Sequence, residues 1–436
     1  MSLWQSVAPA QRARDEDDEI LETLHQRIIR AVHESNMQGV DKAQARSLVE
    51  QATRRLLSDE FPGVVGDRKE DIIAAVVDEV TGLGPIEKLV RDSSVSEVMV
   101  NGPDEVYFER DGIIYESDVR FRDTNHVMRV IERIITAIGR HIDEASPMVD
   151  ARLEDGSRVN VIIPPLVPRS PVLTIRKFRQ DRFSMEELIQ AGTLSADMAT
   201  FLEGCVRAKL NLVVSGGTGT GKTTLLNALS RYIPGRERIV TIEDPLEMRL
   251  QQRHVISMEA RPPSVEGTGE VTQRMLLRNA LRMRPDRIII GEVRGPEAFD
   301  MMQAMNTGHE GSMTTVHANS PRDALARIEN MVLMAGFELP VLVIREQMAS
   351  ALHLIIHLSR LFDGTRRITH VTEVSGMEGN IITLQDIFVF QQEGITPDGR
   401  VIGELKPTGL RPHFTDRLKA FGVDLVDNVF GVERWA

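Results

Sequence analysis

Apolar residues recur at helical spacing through the first part of the chain. Leu21, Leu24, Ile28, Ile29 and Val32 form one stripe. Ala45, Leu48, Val49, Ala52, Leu56 and Leu57 form a second, and Ile72, Ile73, Val76, Val77 and Val80 a third. This period predicts three amphipathic helices, punctuated by Gly39, Pro62-Gly63 and Gly82. Residues 1–83 are expected to form an N-terminal helical bundle, with a mobile acidic stretch from Asp15 to Glu19 ahead of it. The pattern changes at Gly84-Pro85. Short β-type runs at Glu97–Val100, Glu105–Glu109 and Gly112–Tyr115 are joined by Asn101-Gly102-Pro103 and Arg110-Asp111-Gly112 turns. Helical spacing returns from Val127 to Ile138. A hairpin of Met148–Leu153 and Arg158–Ile163 follows, turning at Glu154-Asp155-Gly156, and a proline-studded crossing leads to a strand at Leu173–Lys177. Residues 84–184 therefore read as a small α/β domain and its linker.

From Met185 onward helical and β-type patterns alternate, which predicts a mainly parallel sheet covered by helices over residues 185–436. Strands are expected at Leu210–Ser215, Arg238–Ile242, Arg287–Ile290 and Ser312–Thr315, with Ile368–Val374 and Ile381–Phe390 extending the sheet. Met275, Met283, Met301, Met302 and Met305 read as helix-core filling. The fold class is α/β.

Composition narrows the setting. The chain has 436 residues, 42% hydrophobic and 27% charged, which suits a folded protein of two or three domains. A net charge of −12 argues against a general nucleic-acid coat, so no direct nucleic-acid partner is expected. One cysteine, Cys205, excludes an internal disulfide framework and a cysteine-based zinc cluster, and fits a reducing compartment. No apolar run approaches the ~18 residues of a membrane span, and Met1–Glu22 has no signal-peptide core. A cytoplasmic protein is expected, with any membrane link made through partners.

The most informative stretch is Leu212 to Thr223. An apolar run leads into Gly216, Gly217, Thr218, Gly219, Thr220, Gly221, Lys222 and Thr223, with Thr224 and a helix-forming run behind them. This is G-x-x-x-x-G-K-[ST] between a strand and a helix, the context the motif requires. Its glycines let backbone N–H groups close around a polyphosphate, and the helix start adds positive potential. Lys222 is expected to reach the β- and γ-phosphates of ATP, and the Thr223 hydroxyl to hold Mg²⁺.

Hydrolysis also needs an acid for the metal, a carboxylate for water and cations for the leaving charge. Glu243, Asp244 and Glu247 lie just past the end of the next strand, where open α/β sheets bind ligands. Gly291-Glu292 ends the Arg287–Ile290 strand, with glycine where the usual Walker B aspartate would stand. Glu292 either binds Mg²⁺ through water or polarises the nucleophile. Arg294 follows it and is equally readable as a surface ion-pair residue. His309 and His317 flank the next strand and are candidates for sensing the γ-phosphate. Zinc finds no third ligand at metal-like spacing. Arg158, Arg176, Lys177 and Arg179 cluster in the smaller domain and linker, and arginine has the fork geometry for phosphate.

The ordered set SGGTGTGKTT, TIEDPLE, RMRPDRIIIGEVRG and GHEGSMTTVHANSP resembles the secretion and pilus assembly ATPases of type II and type IV systems, from Gly84 onward. ARLEDGSRVN, IRKF, REQMASALHLIIHLSR and the helical extension at the front are most similar to the CpaF (TadA) motors of tight-adherence, or Flp, pili. The resemblance implies a RecA-like P-loop ATPase domain behind a smaller PAS-like α/β domain. It also implies a homo-hexamer that holds ATP between its two domains and pushes on an inner-membrane platform protein. Carried over by motif, Glu247 is the first choice for activating water and Glu243 the second. Glu292 supports the metal, His309 and His317 form the His box, and Arg158 and Arg176 are arginine-sensor candidates. A four-cysteine zinc module and an AIRNLIRE-like segment, marks of other branches, are not seen. The type IV secretion motor supporting DNA or effector transfer is the competing reading. A nucleic-acid motor, a transporter ATPase subunit and a nucleotide-gated scaffold are weaker ones.

Overall fold

The structure, a computed structural model, describes residues 9–34, 41–110, 112–153, 155–178, 184–261, 263, 268–423 and 430. The chain divides into two compact units, Met1–Gln180 and Asp181–Ala436. The first unit contains both the helices at the front and the smaller α/β region.

In that unit α1 (Pro9–Glu34), α2 (Lys42–Glu60) and α3 (Asp67–Thr81) pack around Ile20, Leu24, Ile28, Val49, Leu57, Ile73 and Val77. Asp15–Glu19, expected ahead of the bundle, lies within α1. Nothing between Pro9 and Glu34 breaks a helix, and Asp17 is held by Arg68 of α3 at 2.6 Å. Leu48, assigned to an apolar stripe, is half exposed, while Thr53 takes a buried position by donating to the Val49 carbonyl. After α4 (Glu87–Arg91) come β1 (Val95–Val100), β2 (Val106–Arg110), β3 (Ile113–Glu116), α5 (Thr124–Ala137), β4 (Met148–Arg152), β5 (Arg158–Ile162) and β6 (Val172–Arg176). The strands form an antiparallel sheet in the order β3-β2-β1-β6-β5-β4. Val127, Val130, Ile131, Ile134 and Ile135 of α5 pack against Val98, Val159, Leu173 and Ile175 of the sheet. Asp123 caps α5 by accepting from the His126 N–H. Gly39, Asp111, Glu154 and Arg179 lie outside the described residues.

The second unit opens with α6 (Met185–Gln190) and α7 (Ala196–Arg207), each capped by a serine, Ser184 and Ser195. There follow β7 (Leu212–Gly216), α8 (Lys222–Ser230), β8 (Ile239–Glu243), β9 (Val255–Glu259), α9 (Gln273–Ala280) and β10 (Arg287–Ile290). Next are α10 (Glu297–Asn306), β11 (Met313–His317), α11 (Pro321–Met334), α12 (Val341–Ala351) and β12 (Leu354–Arg360). The unit ends with β13 (Arg366–Glu378), β14 (Ile381–Ile395), β15 (Val401–Pro407) and α13 (Thr415–Ala420). The sheet order is β15-β14-β13-β12-β7-β11-β10-β8-β9. From β12 through β9 neighbours run parallel; from β12 out to β15 they alternate direction.

The central strands are buried along their whole length, as befits a parallel sheet covered on both faces. One face meets α6, α7, α8 and α13; the other meets α9 to α12. Met301, Met302 and Met305 fill that second core, but Met275 is 54% exposed and contributes little. Cys205 is buried in α7, and burial pushes its thiol well above the usual range. Among the described residues, no helix is long and apolar enough to cross a membrane.

Candidate nucleotide site

The loop between β7 and α8 has the backbone that its glycines permit. Gly216, Gly219 and Gly221 have φ of 154°, 72° and 95°, values that L side chains rarely adopt. At Gly216 a Cβ would stand 2.4 Å from the Leu358 carbonyl oxygen of β12, so no other residue fits. Gly221 in the left-handed conformation turns the chain directly into α8. The Lys222 ammonium is buried and donates to the Gly217 carbonyl at 2.8 Å, as does the Thr220 hydroxyl at 2.9 Å. Burial lowers the Lys222 pKa, against the pull of Glu292 and Glu247. A buried cation turned onto a carbonyl of its own loop is a fitting receiver for a phosphate.

The parallel strands bring the other candidates to the same edge. Thr314 of β11 pairs with Ile290 of β10, so His317 and Glu292 leave neighbouring strands on the same side. His317 Nε2 lies 3.2 Å from a Glu292 oxygen, and its Nδ1 lies 3.5 Å from the Thr218 hydroxyl of the loop. Arg294 holds the other Glu292 oxygen at 2.7 Å, which raises the Arg294 pKa. Burial and then Lys222 lower the His317 pKa, against Glu292, so the imidazole is neutral near pH 7. Lys222, Thr218, His317, Glu292 and Arg294 form one polar cluster.

Glu243 and Glu247 part company here. Glu243, at the end of β8, is 2% exposed, and one oxygen accepts the N–H groups of Glu247 and Met248 at 3.1 and 2.9 Å. It fixes the path of the segment that carries Glu247, whose own side chain is exposed. Gly291 has a physical reason too. A Cβ there would come within 3.0 Å of Glu243 Cγ, so the missing aspartate leaves room for the buried glutamate. Thr223 and Thr224 occupy the first turn of α8, half buried.

His309 is not brought to this cluster in the chain. It precedes β11, at the opposite end of that strand from His317, where its N–H donates to the Ala304 carbonyl and its carbonyl accepts from Ser312. Because β11 runs parallel to β7, the four residues ahead of Met313 lie at the amino end of the sheet. In the first unit Arg158 and Arg176 are directly paired across β5 and β6, and Arg176 also faces Glu97 of β1 at 3.4 Å. Lys177 donates to the Asp92 carbonyl.

Three contacts escaped the sequence reading. Arg366 donates to the Gly219 carbonyl at 2.9 Å, Leu358 abuts Gly216, and His357 meets the Ser215 hydroxyl at 2.9 Å. All come from β12 and β13, whose parallel pairing of β12 with β7 joins residues over 140 positions apart.

The family described as Type II/IV secretion system protein matches residues 79–395. A protein of Mycobacterium tuberculosis named for conjugal transfer is 36% identical over 334 residues, covering 75% of this chain and 94% of its own. The type IV secretion system protein VirB11 of Brucella suis is 32% identical over 320 residues, covering 67% of this chain and 88% of its own. The structure of the pilus retraction motor PilT with bound ADP matches 80% of this chain and 88% of its own at 20% identity, with a TM-score of 0.50; it supports the fold. With the P-loop core just described, this chain belongs to the type II/IV secretion system protein family, as an α/β protein with a RecA-like P-loop core.

Proposed function

We propose that the protein is a motor that hydrolyses ATP to drive a type IV-like pilus or secretion machine. The observation that carries this reading is the joining of Lys222, Glu292, His317 and Arg294 beside the phosphate loop. Thr223 and Glu292 would hold Mg²⁺, which when bound offsets charge on the phosphates. Water attacks the terminal phosphorus and the bond to the bridging oxygen breaks. Glu247 takes the proton from water. Lys222 and Arg294 meet the charge that develops on the phosphates. Glu243 suits this task less, because its carboxylate already holds the backbone that presents Glu247. The neutral imidazole of His317 lies within reach of both the loop and Glu292, which suits sensing the terminal phosphate.

In this reading the working form is a homo-hexamer in the cytoplasm, attached peripherally to the inner membrane through a platform protein. Arg158 and Arg176 are arginine-sensor candidates, and His309, remote from the loop within its own chain, is a candidate for a role other than direct contact. The domain division at 83 and 184 is retained as a proposal for the moving parts. The motif runs ARLEDGSRVN and REQMASALHLIIHLSR support a tight-adherence pilus as the machine served. The relatives named for conjugal transfer and VirB11 support the second reading, a type IV secretion motor.

Phosphate release by wild type and Lys222→Ala tests the motor. Turnover that depends on Lys222 is expected, and equal, negligible rates would remove the proposal. Deleting the gene and scoring surface pili against DNA or effector transfer separates the two machines.

A further inference from the structure

The phosphate loop leans on two flanks. One is the β11 side, where His317 and the Ala318 N–H meet Thr218 and Gly216. The other is the hairpin joining β12 to β13, and no motif described above includes it. There the Arg366 Nε donates to the Gly219 carbonyl at 2.9 Å, and its Cδ would lie 3.7 Å from a Cβ placed on Gly221.

We infer that Arg366 is a positioning residue that fixes the phosphate-loop backbone in its ligand-receiving orientation. This rests on the nucleotide reading above. A trans peptide is planar, so the Gly219 carbonyl and the Thr220 N–H point in opposite directions. Holding the carbonyl toward Arg366 turns the Thr220 N–H away from the hairpin, the orientation the nucleotide reading asks of a loop that presents N–H groups to phosphate. Gly219, with φ of 72°, has freedom that no side chain of its own restrains, so an external anchor matters at that peptide.

The anchor itself stands on a braced support. Leu361 N–H donates to the Thr365 carbonyl at 2.8 Å and closes the hairpin. Asp363 accepts from the N–H and hydroxyl of Thr365, and its second oxygen accepts from the Val401 N–H at 2.8 Å, tying the turn to the start of β15. The adjacent Arg367 donates to the Gly192 carbonyl at 2.8 Å. Arg366 is therefore held from behind while it holds the loop in front. Pre-setting the loop serves ground state and transition state alike, so its loss is felt in binding rather than in bond breaking.

The test uses the full chain as wild type, Arg366→Ala and Arg366→Lys. Calorimetric titration gives the affinity for Mg·ADP, phosphate release gives KM and kcat for ATP, and thermal melting checks the fold. Arg366→Ala is expected to weaken Mg·ADP binding and raise KM by about tenfold, the scale of one hydrogen bond to a charged group. Its kcat and melting midpoint should stay near wild type, and lysine, which also donates to a carbonyl, should recover most of the affinity. Affinity equal to wild type in Arg366→Ala would overturn the inference, as would a loss confined to kcat or one that follows a lowered melting midpoint. Should wild type bind Mg·ADP yet release no phosphate, the motor reading falls while the ADP affinities still judge Arg366. If wild type turns over and Arg366→Ala binds as tightly, only the role of Arg366 falls.

Discussion

The two ends of the parallel sheet are both rich in polar side chains, but they use them differently. At the amino end most of the groups answer one another. Arg287, fully buried, pairs with Glu237 at 2.5 Å and donates to the Val206 carbonyl. Asn211 accepts the N–H groups of Gly311 and Ser312 and donates to Ala351, while Arg417 donates to the carbonyls of Ala208 and Lys209. At the carboxyl end a buried ammonium turns onto its own loop, and Glu292 is shared between a histidine and an arginine. The first arrangement holds strands together; the second leaves charge for a ligand to complete. Polarity alone does not mark a site; the proposed one is argued from charge poised beside a left-handed glycine loop.

The contrast breaks most readily at the amino end. Arg287→Ala removes the short ion pair of Glu237 and leaves it only Lys209 at 3.8 Å, so urea unfolding should report a loss of about 3 kcal/mol. Activity per folded molecule should persist. Lys222→Ala should do the reverse, with phosphate release falling roughly 10²–10³-fold at an unchanged unfolding midpoint. If Lys222→Ala proved the more destabilising of the two, the division of labour between the ends would be wrong.

Acid probes both ends together. His353, whose Nδ1 accepts from the Asn211 N–H, and His357, beside Ser215, are each pushed down to about 4, chiefly by burial. The unfolded chain binds protons at these groups near pH 6.5, before the folded chain does, so their contribution is complete above that pH. It is lost as pH falls toward about 4, and amounts to at most roughly 3 kcal/mol for each group. Urea midpoints measured from pH 7 to 4 should trace this fall, and His353→Asn should flatten it. The smallest effect separates the two histidines around β11. His317→Ala should slow phosphate release by about tenfold, the scale of one lost polar contact at a site, whereas His309→Ala leaves it unchanged.

That last pair shows how far the sequence could be read. The phosphate loop was legible because glycine spacing, lysine and flanking patterns all serve one local backbone path. The direction of β11 was legible too, and with it the signal that His317 stands at the carboxyl end of that strand and His309 at the amino end. β8, β10 and β11 were found within a residue or two of their bounds, since buried parallel strands read as apolar runs. β9, β12 and β15 were not assigned. Leu354–Arg360 follows α12 after only two residues and carries no turn signal before it. Its place beside β7 depends on a pairing across more than 140 positions, which leaves no local mark. Arg366 was hidden for the same reason. Glu243 was legible as a site candidate, but its burial against Gly291 required the third dimension.

The single cysteine lies deep in α7 with its thiol held in the unreactive form. Any cysteine introduced on the surface would then be the one group open to a maleimide dye, without prior mutation of the native residue. A pair of such labels, one in each unit, would let fluorescence test for nucleotide-driven motion in the full chain.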